Sequence, residues 1–368
     1  MELRYESFEK LEELMIKTFT KIGMPEQEAK ITAQVLIESD KRGIDSHGVG
    51  RFKPIYLDRI EEGIMNPITK IDVIKDDRAI AVLDANHGMG HVVSHKAMSM
   101  AIEKAKNHGL GMVVVRNSTH YGIAGYYASM AAKENMIGIT GTNARPSIAP
   151  TFGVQNMLGT NPLTFGMPTD EAFDFVYDGA TSITQRGKIE HYARINKTMP
   201  VGWVIDAQGE PVTDANVALK GFGTGECALA PLGGIGEELG GYKGYGYATV
   251  VEILSAALQS GAFLSQLSGV SKEGNVQPHK LGHFFIAIDV APFIEVEEFK
   301  KITGDILREL RASHKAKGQD RIYTAGEKEY LAYLERKEKG VPLNENVLNS
   351  LYSAREKYQV DFTFTWEE

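Results

Sequence analysis

Between residues 92 and 140 the chain switches repeatedly between two hydrophobic periods, and this alternation restricts the fold more than any other feature. Residues 92–107 carry apolar side chains at helical spacing and stop at Gly109, and residues 111–115 (Gly-Met-Val-Val-Val) form a short run of buried-strand character. Small and apolar residues return at helical spacing over 124–134, followed by a second apolar run at 136–140. A helix shows its core face about every 3.6 residues, whereas a strand buried on both faces is apolar throughout. Alternation of the two predicts an α/β architecture, not an all-helical or all-β one.

The flanking sequence reads more simply. Ser7 is placed to cap a helix carrying Phe8, Leu11, Leu14, Met15 and Phe19 up to Gly23, and Pro25 suits the first position of the next, which runs toward Gly43. A third helix is expected from about Pro54 to Glu62, ending at Gly63. Residues 71–74 and 79–83 read as paired strands; 163–166, 173–177, 203–206 and 284–288 read as further strands. A glycine-rich stretch, 221–246, precedes an apolar helix over 247–260, and 296–311, 326–338 and 344–358 look like charged scaffold helices. The expected division is a helical segment and substrate-side α/β lobe at 1–135, a cofactor-binding α/β domain at 136–285, and a helical segment at 286–368 that packs back on the N-terminal lobe.

Composition excludes several functions. A net charge of −8 over 368 residues argues against a general nucleic-acid binder, which needs a basic face. The single cysteine, Cys227, leaves no internal disulfide and makes a thiolate metal cluster implausible. Residues 1–10 are charged with no apolar run after them, and no 18-residue apolar stretch follows, so neither a secretory leader nor a membrane span is expected. A cytoplasmic protein is the default expectation.

Two loops carry the candidate chemistry. Arg116-Asn117-Ser118-Thr119-His120-Tyr121-Gly122 places a histidine in a polar loop just after the 111–115 strand. Asp45-Ser46-His47-Gly48-Val49-Gly50-Arg51 places a second beside an arginine. Histidine exchanges a proton near neutral pH, and arginine grips a carboxylate through two parallel hydrogen bonds. The competing readings are a loop histidine bonded to its own turn for His120, and a helix cap with a surface cation for His47 and Arg51. His87, His91 and His95, with Asp84 upstream, have the spacing of a metal site on one helical face, but Gly88 and Gly90 interrupt the first turn, so no metal is expected. No G-x-G-x-x-G fingerprint is present; the nearest match, Gly223-Thr224-Gly225-Glu226-Cys227-Ala228, lacks a strand before it and a long helix after it.

These loops, together with Leu158-Gly159-Thr160-Asn161-Pro162, Asp178-Gly179-Ala180-Thr181-Ser182, Pro231-Leu232-Gly233-Gly234 and Gly241-Tyr242-Lys243-Gly244-Tyr245-Gly246, occur in an order that resembles the malate/L-lactate dehydrogenase family of the second type, over roughly residues 5–340. The resemblance implies a non-Rossmann NAD(P)-binding fold with a mixed sheet and helical terminal segments. It implies a homodimer that interconverts a small 2-hydroxy acid and its 2-oxo acid with NAD or NADP. It also implies His120 as acid/base catalyst with His47 as the alternative, and Arg51 and Ser46 at the substrate. Asn143, Asp178, Gly179, Ala180, Pro231, Gly233, Gly234 and Lys243 fall at cofactor positions. Ala144 and His91 depart from the pattern, standing where relatives carry a hydroxyl residue and glutamine. Arg186 and Lys188 could meet a 2′-phosphate or be solvated charges. The alternatives are a cyclic-imine reductase on the same scaffold and a histidine-metal lyase or hydrolase.

Overall fold

The computed structural model describes residues 3–368; the first two residues of the charged opening stretch lie outside the described residues. Eleven strands run in chain order as β1 (Arg4–Glu6), β2 (Asp72–Asp77), β3 (Ile80–Asp84), β4 (Leu110–Ser118), β5 (Met136–Thr142), β6 (Leu163–Met167), β7 (Phe175–Gly179), β8 (Val204–Asp206), β9 (Cys227–Leu229), β10 (Leu281–Asp289) and β11 (Val341–Leu343). The helices are α1 (Phe8–Lys21), α2 (Glu26–Lys41), α3 (Asp58–Glu61), α4 (Gly90–His108), α5 (Ala124–Lys133), α6 (Arg186–Arg194), α7 (Ala215–Thr224), α8 (Gly241–Ala256), α9 (Val296–Ala312), α10 (Glu327–Lys339) and α11 (Glu345–Lys357).

Seven strands form one sheet in the order β2-β3-β4-β10-β5-β6-β7. Only β3 and β4 are parallel; the other neighbours are antiparallel, so the sheet is mixed. β4 and β5 lie on either side of β10, which makes the sheet continuous across residues 135 and 136. Helices α4 and α5 pack on one face through Val93, Ala97, Ala101, Tyr127 and Ala131, and α8 covers part of the other near Val114, Val251 and Phe284. A smaller cluster around Ile148, Ile189, Val204, Ala218 and Leu229 builds a lobe on the two-stranded β8-β9 sheet.

The terminal segments form their own layer. Leu11, Leu14, Met15 and Phe19 of α1 share a core with Leu36 of α2, Phe52, Tyr56, Leu351 of α11 and Phe364. β1 pairs with β11, joining the two ends of the chain through the backbone. Ser7 caps α1 by accepting from the Lys10 amide at 3.2 Å, and Gly109 ends α4 at φ +79°, a conformation open to glycine.

Several sequence expectations shift. The third helix does not start at Pro54: a 3₁₀ turn at Val49–Arg51 and a π-type turn at Phe52–Leu57 precede α3. The strand expected at 173–177 is Phe175–Gly179, which puts Asp178 and Gly179 on the sheet edge. Helix α8 starts at Gly241, six residues before the expected start, because its glycines fit against a neighbouring loop. The Gly223–Ala228 stretch is the end of α7 followed by β9, a helix before a strand, the reverse of a dinucleotide turn.

Candidate active site

The strand directions collect the candidate residues at one rim. β3, β4, β5 and β7 end there and β6 and β10 begin there, as their pairing requires. The rim therefore carries His120 after β4, Asn143 after β5, Thr160 and Asn161 before β6, Ala180–Ser182 after β7, and His279 and Lys280 before β10. The N-terminal layer adds the loop of Ser46, His47 and Arg51, with Tyr56 beyond it.

The His120 loop is tied down on both sides. Arg116 Nε donates to Asp84 Oδ2 at 2.8 Å, and Asn117 Nδ2 donates to the same oxygen at 2.9 Å. Thr119 Oγ1 donates to the Gly88 carbonyl and accepts from the Gly90 amide, both at 2.9 Å. A Cβ on Gly90 would collide with the carbonyl oxygens of Thr119 and His120, so the first residue of α4 sits directly against the loop backbone. His120 Nδ1 is 2.6 Å from the Tyr56 hydroxyl, leaving Nε2 as the ring nitrogen available to a ligand.

His47 and His120 stack, with ring centroids 5.7 Å apart and planes at 16°. The structure thus brings together two histidines separated by 73 positions in the chain. Ser46 Oγ lies 2.8 Å from His47 Nδ1, and Arg51 Nε donates to the Ser46 carbonyl at 2.5 Å. Burial holds His120 well below the usual histidine range, reinforced by His47, His91, Arg59 and Arg51. Burial also lowers His47; Asp178 opposes that shift and Arg51 adds to it. In both rings burial thus favours the neutral form.

The loop under His47 is organised by a buried carboxyl. Asp40 Oδ2 accepts from the Val49 amide at 2.7 Å, and a Cβ on Gly48 would run into this carboxyl group. Burial raises Asp40 to about 8, the Val49 amide pulling the other way. Arg336 of α10 donates to the Asp40 carbonyl at 2.7 Å and pairs with Asp45, so the C-terminal layer clamps the same loop.

The expected cofactor positions sit at two places along the rim. Asn143 is buried, donating to the Ala262 carbonyl at 3.2 Å and accepting from the Gly282 amide at 2.8 Å. The Asp178 carboxylate accepts from the Gly125 amide at 2.7 Å and from Thr164 Oγ1 at 3.0 Å, which anchors the start of α5 to the sheet edge. Pro231 bridges Ser182, and Leu232 donates to the Thr181 carbonyl at 2.7 Å, so 178–182 and 231–234 form one surface. Gly233 and Gly234 both have positive φ, and a Cβ on Gly241 or Gly244 would strike this loop. Lys243 is exposed in the first turn of α8, its ammonium 5.7 Å from the Tyr242 ring centre. The Ser182 and Thr184 hydroxyls are buried without a hydrogen-bond partner, which fits a polar ligand on this surface.

His87, His91 and His95 do not converge. His87 is in a loop at φ +61°, His91 is wholly buried against Tyr56 with neither nitrogen bonded, and His95 packs near Tyr126. Among the described residues no group of three or more metal-ligating side chains could hold an ion. Sequence reasoning missed Tyr56 and Arg59, which looked like ordinary helix residues, and Asp40, whose role shows only through its contact with the His47 loop.

The sequence profile described as malate/L-lactate dehydrogenase matches residues 7–352. The chain belongs to the malate/L-lactate dehydrogenase family. It is 42% identical over 353 residues to a malate dehydrogenase of Pyrococcus horikoshii, covering 96% of this chain and 95% of that protein. It is 40% identical over 341 residues to an L-sulfolactate dehydrogenase of Methanocaldococcus jannaschii, with 92% of each covered. The crystal structure of malate dehydrogenase from Entamoeba histolytica superposes with a TM-score of 0.95 at 45% identity, covering 99% of this chain and 100% of that one. As a member of this family the protein is an NAD(P)-dependent 2-hydroxy-acid dehydrogenase, and neither the imine-reductase nor the metal-lyase alternative is needed. The described residues contain no helix long and apolar enough to cross a membrane.

Proposed function

We propose that His120 is the proton-transfer residue of this dehydrogenase, with Arg51 holding the substrate carboxylate and Ser46 and His47 completing the wall opposite. The observation that carries this reading is the stack of His47 on His120 with Tyr56 bonded to His120 Nδ1. The tyrosine oxygen accepts from Nδ1–H, and with that proton held Nε2 alone gains or loses a proton between imidazolium and imidazole. Nε2 then gives its proton to the oxygen of a 2-oxo acid, or takes one from a 2-hydroxy acid. Arg51 orients the acid, and the lowered proton affinity of His120 is raised when an anion offsets the nearby guanidinium charge.

In this reading Asn143, Asp178, Gly179, Ala180, Pro231, Gly233, Gly234 and Lys243 hold NAD or NADP, which supplies or accepts the hydride when bound. The orphaned Ser182 and Thr184 hydroxyls support that placement. A homodimer belongs to the same reading, supported by the exposed apolar face of α8. So does a cytoplasmic location, supported by a single buried cysteine.

His120→Ala is expected to lower kcat for 2-oxo-acid reduction by about 10²-fold or more while leaving cofactor affinity near wild type. The assay is initial rates with NADH and NADPH, with cofactor binding followed separately by fluorescence. A near-wild-type rate would remove His120 from the chemistry and promote His47.

A further inference from the structure

A single buried asparagine ties together the separate segments of the proposed cofactor surface. Asn161 is wholly buried just before β6, at φ +33°, a left-handed conformation that asparagine accepts more readily than most residues. Its Oδ1 accepts from the Ala144 amide at 3.2 Å, next to Asn143. Its backbone carbonyl accepts from Thr181 Oγ1 at 3.0 Å, and the Thr181 carbonyl accepts in turn from the Leu232 amide at 2.7 Å. Residues 143–144, 178–182 and 231–234 therefore meet at Asn161.

A carboxyl group of α8 holds this asparagine. Glu252 is 6% exposed; its Oε2 accepts from Asn161 Nδ2 and its Oε1 from the Leu264 amide, both at 2.8 Å. One turn earlier on α8, the Ala248 carbonyl accepts from the same Asn161 Nδ2 at 3.1 Å. Burial raises the proton affinity of Glu252, while the Leu264 amide, Asn161 and Asn143 hold it down. Both carboxyl oxygens face N–H groups, so the acceptor-only carboxylate is the form these contacts satisfy.

The arrangement has a direction. Turning the Asn161 amide over would aim its oxygen at the Glu252 carboxylate and the Ala248 carbonyl, and its NH₂ at the Ala144 N–H. Every one of those contacts would set like against like in a buried place, where an unmade hydrogen bond is costly. Glu252, backed by the Ala248 carbonyl, thus decides which way Asn161 faces and whether the Ala144 amide has its acceptor.

We infer that Glu252 is a positioning residue for the cofactor: acting through Asn161, it locks α8 to residues 143–144 and 178–182, the surface on which NAD or NADP lies. Its own carboxyl group takes no part in the hydride or proton transfer. The inference rests on the reading that Asn143, residues 178–180 and residues 231–234 hold the cofactor.

The test is the Kd of reduced cofactor, NADH or NADPH, whichever binds tighter, followed by fluorescence titration of the full chain. Wild type is compared with Glu252→Gln, Asn161→Asp and the double variant, each titrated well below its melting temperature as found by circular dichroism. Glu252→Gln keeps the side-chain size but turns one acceptor into a donor that faces Asn161 or Leu264. It should raise Kd about 10-fold, the scale of one mispaired buried hydrogen bond. Asn161→Asp sets two carboxylates against each other and should weaken binding at least as much. The double variant puts a donor opposite an acceptor again and leaves Ala144 its partner, so Kd should return to within about 3-fold of wild type. A lower melting temperature with unchanged Kd in Glu252→Gln would show a purely structural role and overturn the inference. So would a double variant no better than the weaker single one. Should Glu252→Gln fail to fold, the double variant decides: folded and binding cofactor supports the inference, unfolded overturns it.

Ala180→Trp, titrated in parallel, crowds the cofactor surface directly. Wild-type affinity in Ala180→Trp means the cofactor lies elsewhere, and both readings fall. Weakened binding in Ala180→Trp with an unchanged Kd in Glu252→Gln overturns only the role given to Glu252.

Discussion

An imidazole sealed from water with neither nitrogen bonded keeps its place only while it is neutral. His91 is in that position beneath Tyr56, with ring centres 4.6 Å apart, and burial lowers its pKa to about 3. His283 is equally buried, though its Nδ1 lies 2.7 Å from Thr142 Oγ1: burial lowers it to about 3, against the pull of the Thr119 and Gly282 backbone, and its ring stacks on Tyr121 at 4.6 Å. Unfolding returns each to a pKa near 6.5, so the unfolded chain binds protons that the folded chain refuses. The folded state is thus fully favoured above pH 6.5 and loses stability as pH falls from 6.5 toward 3. At pH 5 each histidine accounts for a loss of about 2 kcal/mol relative to pH 8. His91→Gln, which replaces a titrating ring with a neutral amide, should shrink the drop between pH 8 and pH 5 by about that amount. Denaturant unfolding of both proteins at the two pH values measures it, and an identical drop would show that His91 is not the neutral buried group described. The substitution sits under Tyr56, so the same protein reports on how firmly that hydroxyl holds His120.

At the scale of elements, the start of α4 is the support on which the His120 loop rests. Gly90 has no side chain because the carbonyls of Thr119 and His120 occupy that space, while its amide bonds Thr119. Gly90→Ala should therefore push the His120 loop away from Tyr56 and lower kcat at least about 10-fold, since small misplacements of a reacting group are costly. Gly223→Ala in α7, where nothing lies within 4 Å, is the control: it should gain up to about 1 kcal/mol from helix propensity with activity retained. Equal kcat in the two variants would mean the loop does not depend on α4. Such dependence was only partly legible beforehand. Helix α4 and strand β4 could be read from side-chain period, which is a local property. The insertion of β10 between β4 and β5 could not, because pairing Phe284 with Val114 and Gly141 leaves no mark on either sequence. Helix α7 was hidden by Gly221 and Gly223, although Asp214, which caps it by accepting from Asn216 and Val217, was a usable signal. His47 and His120 were visible as loop histidines. Tyr56, whose hydroxyl meets His120, was not: it reads as one more apolar position of a helix until the fold brings it to His120.

For the molecule as a whole, the telling element is α8, which carries apolar side chains on its exposed side as well as its buried one. Ala248, Val251 and Ser255 are buried on the chain's own side, yet Tyr247, Val250 and Ile253, with Leu258 just past the helix end, are 55%, 47%, 54% and 55% exposed. An apolar stripe on the solvent side of a helix is normally covered by something. Beside it opens an apolar cavity of about 470 Å³, lined by Ile253, Ala256, Ala257, Phe263 and Leu264 on one side and by Pro150 and Met157 on the other. Exposed apolar side chains on one helix mark a candidate protein contact, and in the proposed homodimer a second copy of the chain packs α8 against its equivalent about a two-fold axis. The same helix begins at Gly241, against the Pro231–Gly234 loop, and its Glu252 carboxylate accepts from Asn161 Nδ2 at 2.8 Å beside the rim. In the proposed reading, the dimer contact and the cofactor surface share this one helix. The wild type should sediment as a dimer at micromolar concentration. Ile253→Glu places a charge at the centre of the patch and should weaken association by at least about 10²-fold, giving a folded monomer by sedimentation velocity and circular dichroism. Activity measured on that monomer then shows whether the loop at Pro231–Gly234 keeps its shape without its neighbour. An unchanged sedimentation coefficient in Ile253→Glu would move the interface off α8, and a monomeric wild type would remove the dimer altogether.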